Sequence, residues 1–156
     1  MNFVSKLMAY LRGEVQRVVT NKEYMIVYNA IIYECDTNDN NDEVHQIFNE
    51  LVEEYIVQEV MPILQGKEGE QLLTNLVQQW DRFCIYSKMM DRSFEYLNRY
   101  FLKNHNLPTT GKACHNMFKD LVFRPARDQI NAALLAEIKK QRNADQVNRE
   151  IIKKSI

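Results

Sequence analysis

Three histidines and three cysteines carry most of the potential chemistry of this chain, together with a cluster of aspartates. His45, His105 and His115 are scattered, and no His-X-X-X-His or Glu-X-X-His pair joins them. His45 has Asp42 and Glu43 nearby, a poor version of a metal box, so no metal site is expected. Cys114 and His115 are adjacent, which sets them about 100° apart on a helix, so they cannot act on each other as nucleophile and base. Asp36, Asp39 and Asp42 lack the glycine and closing glutamate of a calcium loop. No glycine-rich phosphate loop is present. The reading is of a chain without an active site, a metal or a cofactor. Cys35, Cys84 and Cys114 form no Cys-X-X-Cys pair and sit inside helical patterns, which predicts reduced, buried thiols in an intracellular protein.

What remains is the chemistry of association. Around residues 24–35, Val27, Ile31 and Cys35 form one apolar stripe at helical spacing. Tyr24, Tyr28 and Ile32 form a second beside it, flanked by Met25 and Asn29. A bundle helix needs one apolar face, and this one has two. Either the helix is buried all round, or it packs with one face and offers the Tyr-Tyr-Ile face to a partner. The residues alone leave both open.

These side chains must be held by helices. From Gly69 to Pro108 no residue between is glycine or proline, and a seam runs through Leu73, Leu76, Trp80, Phe83, Ser87, Met90, Phe94, Leu97 and Phe101. The spacing predicts one helix ~50 Å long, a strut in so short a chain. Trp80 reads as a core anchor against the second and third helices, and Arg99 as a partner of Glu53 or Glu54. Tyr100 is expected to stand exposed beside Phe101. The other expected helices run from Phe3 to Val19, from Lys22 to Asp36 with Asn21 as N-cap, and from Asp42 to Gln65 closed by Gly66. After the strut come one capped by Thr110 and reaching Phe123, one starting at Pro125 and reaching Arg142, and one from Ala144. Pro125 is expected to force Arg124 out of the helical region. Four glycines and three prolines fit few, long elements with short connections, and no alternating strand pattern appears. The fold class is all-α, an elongated helical bundle of about seven helices.

With 46% hydrophobic residues the chain can bury a core. The formal net charge is -1, but it is uneven. Asp36 to Glu59 holds eight carboxylates and no Lys or Arg, while Arg124 to Ile156 holds eight basic residues against four acidic. These read as solvated helix faces. The basic end lacks interleaved aromatics, so no nucleic acid is expected as a partner. No run of about 18 apolar residues exists, so no membrane span is expected. The first six residues lack the pattern of a secretory signal.

The long helix with its Trp80, its end Tyr96-Leu97-Asn98-Arg99, the later Asp120-Leu121-Val122-Phe123-Arg124-Pro125, and the earlier Leu11-Arg12 and Tyr24-Met25 with Tyr28 resemble, in this order, the N-terminal region of cullins. Cullins are scaffolds of multi-subunit ubiquitin ligases, and the likeness leans toward those serving F-box adaptors. It implies a five-helix cullin repeat over residues 1–123 and the beginning of a second over 124–156. It implies a non-catalytic scaffold arm that docks a substrate adaptor, an F-box-type adaptor or a BTB protein. Tyr24, Met25, Tyr28, Asn29 and Ile32 match the docking face of that family, and Phe101 an aromatic that completes the cleft. Ile32 stands where several members carry Tyr. The chain stops within the second repeat, so it is expected to be a piece without the RING-binding half, and no RING subunit is expected on it. A cytoplasmic and nuclear location is implied. The rival reading is a helical interaction module of a tethering or trafficking complex with no ubiquitin role.

Overall fold

A computed structural model describes residues 3–14, 16 and 19–155 of the chain, with side chains placed for 5–14, 16 and 19–144. All regular structure among the described residues is helical. Helix α1 spans Phe3–Leu11 rather than reaching Val19. Gly13 stops it: its φ of 78° is left-handed, Gly13 N–H donates to Tyr10 O at 3.0 Å and Glu14 N–H to Ala9 O at 2.9 Å. This paired bonding is a Schellman closure, for which glycine is favoured because it lacks a Cβ. Val15 and Val18 of the expected longer helix lie outside the described residues.

Helix α2, Asn21–Ile32, is capped by Thr20 and not by Asn21. The Thr20 hydroxyl accepts from Glu23 N–H while the Glu23 carboxylate accepts from Thr20 N–H at 2.9 Å, a reciprocal capping box. A π-helical turn at Tyr33–Thr37 follows. Helix α3, Asn41–Tyr55, continues through a π turn at Ile56–Val60 into the short α4, Met61–Leu64. Pro62 has no N–H to give to a carbonyl four residues back, and the helix is rewound immediately before it. Gly66, with φ 74°, ends this run as expected.

Helix α5, Gly69–Ser93, is 25 residues and therefore ~38 Å long. The predicted single strut is broken after it. Phe94 leaves helical geometry with φ -101° and ψ 20°, and α6, Glu95–Leu97, passes into a π turn at Asn98–Leu102. Ser93 contributes to the bend by hydrogen bonding back to Met89 O at 2.8 Å, a pattern that bends helices. Helix α7, Thr110–Phe118, is capped by Thr109, whose hydroxyl accepts from Lys112 N–H at 3.3 Å, so Thr110 is its first residue and not its cap. A π turn at Lys119–Phe123 ends it. Arg124 stays helical at φ -62° and ψ -50°, against the expectation set by Pro125. One continuous helix α8, Arg127–Ser155, replaces the two expected there.

The core gathers around α5, which is packed by α1, α2, α4, α7 and α8. Leu76, Phe83, Ser87, Met90, Phe94, Leu97 and Phe101 of the seam are buried. Leu72, Gln79 and Tyr86 complete the buried face, which lies slightly to one side of the predicted seam. The Tyr55 and Tyr86 rings stack at 4.2 Å, and the Tyr86 hydroxyl donates to Leu51 O at 3.2 Å. Trp80 is half-buried, and the expected packing against the second and third helices gives way to another. Its ring lies 5.0 Å from Phe118, 5.3 Å from His115 and 6.2 Å from Phe123, the side of α5 that α7 and its π turn cover. The shift follows from the buried face, which turns Phe83 and Tyr86 toward Tyr55 of α3 and leaves Trp80 on the flank.

Candidate functional site

Helix α2 lies against the C-terminal end of α5 and against α6, and Ile31 fixes its inward face by burial. Val27 is half-buried beside the same core. The second stripe is neither sealed nor free: Tyr24, Tyr28 and Ile32 are half-buried. Met25, Ile26 and Tyr33 project from the same helix and its π turn at 45%, 61% and 56% exposure, and Asn29 is exposed. That much apolar area on one helix is more than a solvated face requires.

The stripe is held from below. The Tyr24 hydroxyl donates to Arg92 O at 2.7 Å, at the end of α5, and the Arg92 guanidinium stands 5.0 Å from the centre of the Tyr24 ring. The Tyr24 and Tyr28 rings stack at 6.0 Å and 22°. Burial pushes the Tyr24 hydroxyl above the ordinary tyrosine range, so it remains a neutral donor. Across from α2, Tyr96 of α6 and Tyr100 of the π turn meet at 4.6 Å, and the Tyr96 hydroxyl donates to Asp36 Oδ1 at 3.2 Å. Tyr100 is 53% exposed, as expected. Desolvation, and then the bond to Asp36, raise the Tyr96 hydroxyl as well.

Arg99 does not reach Glu53 or Glu54. It pairs with Glu95 one turn earlier, Nη2 to Oε1 at 2.9 Å, because the antiparallel register sets Phe94 against Phe48 and Phe101 against His45, and leaves Glu53 and Glu54 level with Tyr86 instead. Its charge is favoured by the Tyr100 hydroxyl and then by Glu95, with Tyr28 in the same field. A strip of tyrosines and aliphatics thus runs from α2 to α6, rimmed by Arg92, Glu95 and Arg99. Phe101 is only 7% exposed, its ring between His45 at 5.9 Å and His105 at 4.3 Å. It lies in the core and not on the strip. Arg92 and Glu95 join the expected residues here. The step from 92 to 96 and 99 marks a second face of the long helix beside the seam, and that spacing was the available signal.

The thiols fit a structural role. Burial raises Cys35 to about 11 and Cys114 to about 12, while Cys84 is half-buried and also raised by burial. Among the described residues no group of three or more His, Cys, Asp or Glu is placed to hold a metal ion, and no helix is long and apolar enough to cross a membrane.

Comparison with known proteins agrees with this architecture. Residues 5–156 match the family model of the cullin alpha solenoid domain. The chain is 28% identical over 153 residues to Cullin-1 of Oryza sativa subsp. japonica, an alignment that takes in 96% of this chain and 21% of that protein. To Cullin-like protein 3 of Arabidopsis thaliana it is 29% identical over 152 residues, 97% of this chain and 59% of that protein. To Cell division control protein 53 of Saccharomyces cerevisiae it is 23% identical over 166 aligned positions, 91% of this chain and 20% of that protein. The chain thus spans between a fifth and three fifths of the length of these relatives.

Proposed function

The chain belongs to the cullin family, and on that premise we propose that it is a scaffold arm of a cullin-RING ubiquitin ligase, docking a substrate adaptor through α2 and the bent end of the long helix. The observation that carries this reading is the strip of Tyr24, Met25, Tyr28 and Ile32, left partly open on a helix whose other face is anchored by Ile31. Asn29 lies exposed on the same helix, and Phe101 is buried in the core. Tyrosine and methionine give large contact area at modest ordering cost, which is why they are frequent in interface centres. Arg92, Glu95 and Arg99 supply a charged rim of the kind that tunes partner choice. The arm is non-catalytic in this reading, with residues 1–123 as the first repeat and α8 opening the second.

An F-box-type adaptor is the preferred partner and a BTB protein the competitor, with the cytoplasm and nucleus as the place of action. Family membership favours this scaffold role over a tethering or trafficking module. Parallel pull-downs with a purified F-box-type adaptor and a BTB protein separate the cases. Retention of the F-box-type adaptor alone supports the assignment, retention of the BTB protein alone reassigns the arm, and retention of neither removes the docking role.

A further inference from the structure

Between the long helix and α7 lies a polar cluster that the docking strip does not use. Asp91 Oδ1 accepts three hydrogen bonds: from Thr110 Oγ1 at 2.7 Å, Gly111 N–H at 2.9 Å and Asn98 Nδ2 at 3.0 Å. Asn98 Nδ2 also donates to Thr110 Oγ1 at 2.9 Å, and Asn98 Oδ1 accepts from Thr110 N–H at 2.7 Å. Every donor has an acceptor in this set, and only one amide orientation satisfies it, since the reverse would turn Asn98 Oδ1 toward the carboxylate. Thr110 is fully buried. On an unbroken helix residues seven apart rise ~10.5 Å, further than two such short side chains span, so the Asp91 to Asn98 bond exists only with the break at Phe94. The residues beyond that break are Tyr96 and Tyr100, the half of the strip that faces α2.

We propose that the Asp91–Asn98–Thr110 clip is a positioning device for adaptor docking: it fixes the bend that presents Tyr96 and Tyr100 beside Tyr24 and Tyr28. Asn98 and Thr110 are positioning residues that touch no partner. The inference rests on the docking reading above, and its test separates the two. Thr110→Val keeps the shape and removes the hydroxyl, Thr110→Ser keeps the hydroxyl, and Tyr28→Ala removes a contact from the strip without touching the clip. Each is titrated with a purified F-box-type adaptor at a temperature where circular dichroism shows it folded, and amide hydrogen exchange is followed over residues 94–104. Thr110→Val is expected to weaken binding roughly tenfold, the scale of re-ordering two interface side chains, and to speed exchange over 94–104. Thr110→Ser is expected to restore both. Tyr28→Ala is expected to weaken binding with exchange unchanged. Wild-type affinity in Thr110→Val, or unaltered exchange over 94–104, would overturn the proposal. An adaptor that ignores the wild-type chain would refute docking, while the exchange data would still decide whether the clip holds the bend.

Discussion

Tyrosines in this protein divide by what their hydroxyls do. Tyr86 is fully buried and donates to Leu51 O, while Tyr24 and Tyr96 are tied down at the hydroxyl with a ring edge left toward solvent. Tyr86→Phe is therefore expected to lower stability by about 1 kcal/mol, because it removes a buried hydrogen bond to a carbonyl that keeps only its bond within α3; denaturant titration checks it. Trp80→Ala removes a half-buried ring wedged against Phe118 and Phe123. The expected loss is about 3 kcal/mol, at the low end for aromatic truncations, with a melting point lower by roughly 6–12 °C. Adaptor binding should survive at temperatures where the variant is folded. Thiol reactivity gives a third test at this scale. Cys35 and Cys114 have raised pKa values and are buried, so native-state alkylation at neutral pH should mark Cys84 first, as read by mass spectrometry. Equal labelling of all three would contradict the packing described.

Among the elements, the start of α2 is the most exposed to pH. The Lys6 ammonium, and then the Thr20 backbone and side chain, hold the Glu23 carboxyl down at about 2. A depressed folded-state pKa adds stability that is complete above the ordinary glutamate range and is lost as pH falls through about 2. Glu23→Gln should therefore flatten the acid limb of the melting-point profile between about pH 4.5 and 2, and leave its slope above pH 5 unchanged. Thr20→Ala, which removes the cap itself, should cost about 1 kcal/mol at neutral pH. This capping box is legible as Thr20-X-X-Glu23: Thr20 and Asn21 are both good N-caps, and only the reciprocal glutamate at Glu23 decides between them. Gly13 was equally legible as a stop. The break at Phe94 was not: no glycine or proline marks it. The side chains beyond it bond to Asp36, Asp91 and Thr110, partners set by tertiary packing. Helix propensity cannot see such contacts. The partner of Arg99 depends on the register of the long helix against α3, which spacing within one helix does not carry.

At the level of the whole molecule, the periodicity of apolar residues was enough to read an all-α fold around one long helix. The α2 stripe was legible as a surplus of apolar residues, because it needed only local spacing. The other half of the strip was not assembled from sequence, since Tyr96 and Tyr100 reach it only after the bend. Phe101 was read at the cleft from its match to the family. It lies in the core, so Phe101→Ala is expected to act on stability as much as on binding, by the cavity it leaves.

The most direct test of the docking role is therefore a calorimetric titration of a purified F-box-type adaptor into the wild-type chain and into Tyr28→Ala. A central interface aromatic is worth on the order of 2 kcal/mol, so the variant should bind about 30-fold more weakly, with an unchanged circular dichroism spectrum. Equal affinity in wild type and variant, both folded, would contradict the assignment of α2 as the docking face.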